Sequence, residues 1–119
     1  MDDSILSTVK KLLGIFDDDT SFDTDIITHI NTYLYSLVQM GVGSKGFVVT
    51  GYNEKWSDFV GDDIDLDAIR TYIYIKVRLV FDPPSNSFTI DSLKEVAKEL
   101  EWRMYIDRDL ARIDSEEGG

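Results

Sequence analysis

The apolar positions of this chain are densest over residues 65–84, DLDAIRTYIYIKVRLVFDPP, and the segments on either side carry the amphipathic patterns needed to cover it. Read at period two, Ile73, Ile75, Val77 and Leu79 share one side, with Tyr72, Tyr74, Lys76 and Arg78 on the other. That is a strand pattern, and β-branched and aromatic residues favour it. Read at helical spacing, Leu66, Ile69, Ile73, Val77 and Val80 form a stripe widened by Tyr72 and Leu79. Asp65 is placed to cap a helix and Asp67 to sit in its first turn, while Pro83 and Pro84 stop it. Length selects the helix over 65–82, because a strand usually runs about 5–6 residues.

The remaining pattern predicts three more helices. The first covers residues 4–16, with Ile5, Val9, Leu12, Leu13 and Phe16 on one face and Lys10 and Lys11 opposite; Asp2, Asp3 and Ser4 offer its cap. The second starts at Asp23 as N-cap, with Phe22 and Ile27 placed for a hydrophobic staple. It continues through Ile26, Ile30, Tyr33, Leu34, Leu37 and Val38, and Gly41 ends it. The last runs from Phe88 to about Ile106, with Leu93, Val96, Ala97, Leu100 and Met104 as its apolar face.

Between the second and third long helices the chain changes character. Residues 41–64 hold Gly41, Gly43, Gly46, Gly51 and Gly61. Residues 47–50 read as a short strand or one arm of a hairpin, and residues 54–59 as a single helical turn with Trp56 and Phe59 inward. The fold expected is mainly α: a small four-helix bundle, one domain over residues 1–119, with a long glycine-rich loop carrying a short β-hairpin or strand and about eight frayed residues at the C-terminus.

Composition narrows the function. The chain has 119 residues, no cysteine and a formal charge of −11, from 12 Lys plus Arg against 23 Asp plus Glu. Thiolate metal sites and disulfides are excluded. No apolar run approaches the ~20 residues of a membrane span, and the opening MDDSILSTVKK lacks the basic start of a signal peptide, so synthesis in the cytoplasm and no membrane partner are expected. Ordinary DNA binding rests on clustered Lys and Arg, which this balance opposes. The first 64 residues hold 4 bases and 11 acids; the rest hold 8 and 12.

Catalytic chemistry finds little support. His29 is the single histidine, and no nucleophile elbow, Walker loop or dinucleotide fingerprint is present. Asp17, Asp19, Ser21, Asp23 and Asp25 alternate like a calcium loop, but its sixth and twelfth positions hold Phe22 and Thr28 in place of glycine and glutamate. A count from Asp63 fails in the same way, at Ala68 and Tyr74. No catalytic residue, metal or cofactor is therefore assigned. Surface aromatics are the remaining signal. Trp102 and Tyr105 lie beside Arg103 and Arg108, residue types enriched at interface centres, although a broadened core stripe would give the same sequence. Phe47, Val48, Val49 and Thr50 pose the same alternative: tucked on their own core, or offered to a neighbour.

One family matches this order of features. A helix ends in LVQMGVG at residues 37–43; GFVVTGY at 46–52 and WSDF at 56–59 follow; then come AIRTYIYIKVRLVFDPP at 68–84 and ELEWR at 99–103. The sequence resembles the small head–tail connector (adaptor, head-completion) proteins of tailed bacteriophages and of prophages of Gram-positive bacteria, over about residues 4–106. The resemblance implies a non-enzymatic virion protein, monomeric in isolation, that assembles as a ring, commonly of twelve, under the portal protein. The ring would continue the DNA channel toward the tail or stopper proteins and let DNA pass without specific binding. It also implies portal-side candidates Trp102, Arg103, Tyr105 and Arg108, and loop candidates Phe47, Val48, Val49 and Thr50. A second reading of the acidity is an inhibitor or DNA mimic that occupies a basic nucleic-acid enzyme. A third, a small enzyme built on His29, would need a concave pocket around that residue.

Overall fold

A computed structural model describes residues 4–61 and 65–118, with side chains as far as Ile106. Its helices are α1 (Ile5–Leu13), α2 (Asp23–Gln39), α3 (Trp56–Phe59), α4 (Leu66–Phe81) and α5 (Ser87–Gly118). The ambiguous central segment is a helix. The Asp65 carboxylate accepts from the Ala68 N–H at 3.2 Å, Asp67 stands in the first turn, and Arg78 in the last complements the helix dipole. Ile69, Ile73 and Val77 are buried as the stripe requires, and Ala68, Tyr72 and Ile75 widen it. Val80, expected in the stripe, is about half exposed.

The breadth of that buried face follows from the packing. α4 touches α1, α2 and α5, so three flanks of one helix are covered. α2 offers Ile26, Ile30, Leu34 and Leu37 at helical spacing, and α1 offers Ile5, Leu6 and Val9. Each fully buried Ile or Leu contributes roughly 1.5–3 kcal/mol against its exposed state. α5 joins α4 through a five-residue connection, residues 82–86, and therefore runs antiparallel beside it. The Asn86 side-chain oxygen accepts from the N–H groups of Phe88 and Thr89 to start α5. Ala97, Leu100 and Met104 are its buried line, with Leu93 partly buried; Val96, expected among them, is turned out.

Several expectations need correction. α1 stops at Leu13, which takes Phe16 off its face, and within the helix Leu12 is exposed while Lys10 is buried. α2 begins at Asp23 itself, with Phe22 in the cap position and no side-chain cap bond. Phe22 packs edge-on against Phe81, with ring centroids 5.5 Å apart. α5 continues to Gly118, well past Ile106. The capping role of Asp2 and Asp3 and the acidic cluster at Asp63 lie outside the described residues.

No strand or hairpin forms at residues 47–50, and among the described residues the β pairing is one isolated bridge, Ser4 with Lys55. The backbone groups of Val49 that a partner strand would take are instead held by the Asn31 side chain. The turn at α3 is present as expected, with Trp56 and Phe59 fully buried. Trp56 Nε1 donates to Thr8 Oγ1 at 3.1 Å, and the Ile5 N–H donates to the Glu54 carbonyl at 2.9 Å, so this segment is sewn to α1.

Phe59 occupies its place because Gly43 has no side chain. A Cβ built there would lie 2.2 Å from Phe59 Cζ, and Gly43 has φ +88°. Gly46 has φ +76° but open space around it. Gly43→Ala is expected to lose about 2–4 kcal/mol from combined strain and overlap. Gly46→Ala should lose about 1–2 kcal/mol, from the backbone conformation alone. Urea unfolding of both variants beside the parent checks the difference.

Candidate functional site

The last helix presents two faces of opposite character. Leu100 and Met104 point to α4, and Glu101 secures the seam: it accepts from the Tyr72 hydroxyl at 3.1 Å and lies 3.6 Å from Lys76 Nζ. Burial and the Glu101 charge push the Tyr72 phenol well above its usual range. On the far face, Trp102 is 62% exposed and Tyr105 43%, and their rings stack at 6.2 Å with 16° between planes. The core stripe therefore does not broaden at Trp102, and both rings are partly open to solvent. Arg103, beside them, pairs with Glu99 at 2.9 Å. Arg108 lies outside the residues whose side chains are described.

The loop candidates divide. Val49 is buried, with its N–H donating to Asn31 Oδ1 at 2.7 Å and its carbonyl accepting from Asn31 Nδ2 at 3.0 Å. Phe47 is partly buried against Phe59, centroids 5.3 Å apart. Thr50 Oγ1 donates to Glu54 Oε2 at 2.7 Å, and the Thr50 and Gly51 N–H groups donate to Glu54 Oε1. Those bonds hold the Glu54 carboxyl below its ordinary range. Val48, 54% exposed, is the member turned outward. The loop is thus fastened at three points and offers one apolar side chain.

A further fastening is a polar node absent from the sequence reading. The Lys10 side chain has no solvent exposure, yet its ammonium lies 2.8 Å from Asp23 Oδ1. It also donates to the Tyr52 hydroxyl at 2.6 Å and to the carbonyls of Asp19 at 2.8 Å and Asp17 at 3.3 Å. The Tyr52 hydroxyl donates in turn to Asp23 Oδ2 at 2.8 Å. Burial works to lower the Lys10 pKa, but the bonds to Asp23 and Tyr52 outweigh it and leave the group above its usual value. Burial likewise works to raise Asp23, and the bonds from Lys10 and Tyr52 leave it below the usual carboxylate range. Burial and the Asp23 carboxylate raise the Tyr52 phenol against the pull of Lys10.

A cleft of about 890 Å³ opens beside α1, lined among others by Lys11, Leu12, Ile15, Phe16 and Arg70. Phe16 is 80% exposed at its rim. Sequence reasoning missed this site because it assigned Leu12 and Phe16 to the core. The left-handed Gly14 that ends α1 is the signal that takes Phe16 off that face. His29, partly buried on α2, is not among the cleft residues.

A family model described as phage connector protein matches residues 5–111. The chain belongs to that family. No curated protein and no solved structure matches it. As a phage head–tail connector, it has a structural role in a virion, and the family implies contacts with portal and tail proteins. Among its described residues, no helix is long and apolar enough to cross a membrane.

In this connector the Lys10 node predicts a pH profile. The depressed Asp23 and Glu54 groups stabilise the fold above the ordinary carboxylate range and lose that contribution as pH falls through about 4. The raised Lys10 and Tyr52 groups stabilise it below about pH 10 and lose that contribution as pH rises further. Thermal stability should be level between about pH 5 and 9 and fall on both sides. Asp23→Asn should lose about 3 kcal/mol at pH 7, by leaving a buried ammonium without its counter-charge, and should flatten the acid limb. Melting curves across pH for both proteins check this.

Proposed function

We propose that this connector assembles as a ring, commonly of twelve copies, beneath the portal, and there extends the DNA channel toward the tail or stopper proteins. It acts by contact, without catalysis. The observation that carries this reading is the family match over residues 5–111. The far end of α5, with Trp102, Arg103, Tyr105 and Arg108, belongs to the portal-side region of the ring. Residues 47–50, with Val48 outermost, face neighbouring copies or the channel. Large exposed aromatics and Arg beside them are the side chains that most often anchor protein interfaces, which supports the first assignment.

The charge fits a conduit. A formal −11 per copy repels phosphates, so a duplex inside the ring slides without adhering. A copy synthesised in the host cytoplasm stays monomeric until a portal presents the template. Negative-stain microscopy of the purified chain with its cognate portal tests the proposal. Rings seated on the portal are expected, with the chain alone remaining monomeric by light scattering. A chain that neither binds the portal nor forms rings in its presence would refute it.

A further inference from the structure

We propose that the outer face of α2, with Thr28, Thr32, Tyr35 and Gln39 and with Val48 beside it, is the surface on which each copy receives the next copy of the chain. The inference deepens the ring reading and rests on it for closure, but the contact between two copies can be tested separately.

Three observations carry it. The first is charge. Residues 26–44 hold no Asp, Glu, Lys or Arg, with Asp25 and Lys45 marking the two ends. No other uncharged stretch of the chain is longer than eight residues. Two copies of charge −11 meet at least cost where one of the two surfaces carries no carboxylate. A ring contact joins two unlike faces, so one uncharged face per copy is enough.

The second is position. Ile26, Ile30, Leu34 and Leu37 turn the inner side of α2 to the core, where it packs on α4 and α1. Thr28, Thr32, Tyr35 and Gln39 recur at steps of four, three and four on the side away from that line, and all are exposed. The connection before α3 extends this face. Tyr52 bonds Asp23 at the start of α2, and Val49 bonds Asn31 further along it. Followed back from Tyr52, the chain therefore runs along α2 toward its far end, and Val48 comes to the turn that holds Tyr35. Tyr35 is 65% exposed and Val48 54%, two large side chains at one level of an uncharged surface.

The third is hydration. Thr28 Oγ1 donates to the Thr24 carbonyl at 2.9 Å, Thr32 Oγ1 to that of Thr28 at 3.0 Å, and Ser36 Oγ to that of Thr32 at 3.3 Å. These donors are already used within the helix, so covering the face strands none of them. Tyr35 supplies the amphipathic ring that interface centres favour. Trp102 and Tyr105, on α5, stay with the portal-side region and take no part.

The test places a photo-crosslinker at the centre of the face, as Tyr35→p-benzoylphenylalanine. The protein is irradiated bound to its cognate portal, and alone at high concentration in about 0.3 M salt, where charge repulsion is largely screened. On the portal, adducts between copies should form a ladder beyond the dimer, and alone a dimer should appear. Adding Thr32→Glu, at an exposed position and so with helical circular dichroism unchanged, should cut the adduct about tenfold by setting a carboxylate against an acidic neighbour. Ser92→Glu adds the same charge at an exposed position of α5 and should leave the yield unchanged. Four results would overturn the contact: adducts to the portal protein in place of a second copy, a ladder that stops at the dimer on the portal, equal effects of the two Glu variants, or portal-bound rings that give no adduct between copies. In the last case the ring reading stands and this interface falls. If no ring forms on the portal, the ring reading fails, and the free chain decides the contact: a dimer adduct sensitive to Thr32→Glu upholds it, and its absence overturns it.

Discussion

A lysine ammonium sealed from solvent must find all its partners inside the protein, and Lys10 finds them on three separate stretches of chain. Asp17 and Asp19 lie in the turn after α1, Asp23 opens α2, and Tyr52 closes the long connection that precedes α3. Removing a charge of this kind from water costs several kcal/mol, so the node holds only when every member is in place. That requirement sets the angle at which α2 leaves α1 and brings residues 47–54 down onto both. The same connection carries Trp56 and Phe59 into the core.

How much of this was legible in the sequence depends on whether a residue obeyed its own period. The α4 stripe did, with an acid to cap it and two prolines to stop it, and length decided between helix and strand. Lys10 did not. Its charge argued for the wet face, and nothing local shows that acceptors from residues 17, 19, 23 and 52 will converge on it. Asp23 was misread for the same reason: an acid before an apolar run looks like a cap, but this carboxylate turns away to neutralise Lys10. At residues 47–50 the β-branched residues suggested a strand. The Asn31 amide supplies to Val49 both bonds that a neighbouring strand would have made. Long-range side-chain bonds of this sort leave no periodic trace.

The contact surfaces split along the same line. Trp102 was suspect as an aromatic beside arginines; it stands two positions past Leu100, off the buried line of α5, and its exposure follows from that spacing. The cleft could not be read in advance. Its lining joins residues from both ends of α1 to Arg70 on α4, and Ile15 and Phe16 leave the helix where Gly14 ends it. A convex aromatic feature belongs to one helix and shows in one helix's pattern, whereas a concave one belongs to the packing between helices.

Electrostatics then governs when these surfaces meet. Each copy carries −11, so any two copies repel one another over distances comparable to the screening length, about 8 Å at physiological ionic strength. Aromatic contact acts only at van der Waals range and is nearly indifferent to salt. The long-range term therefore opposes the approach of free copies, while an aromatic contact acts only once a partner is held close. A template that aligns copies offsets the repulsion without altering the contact itself. Under the proposed assembly on a portal, a small adhesive surface and a widely spread repulsion together favour association where a template holds copies in place over association in free solution.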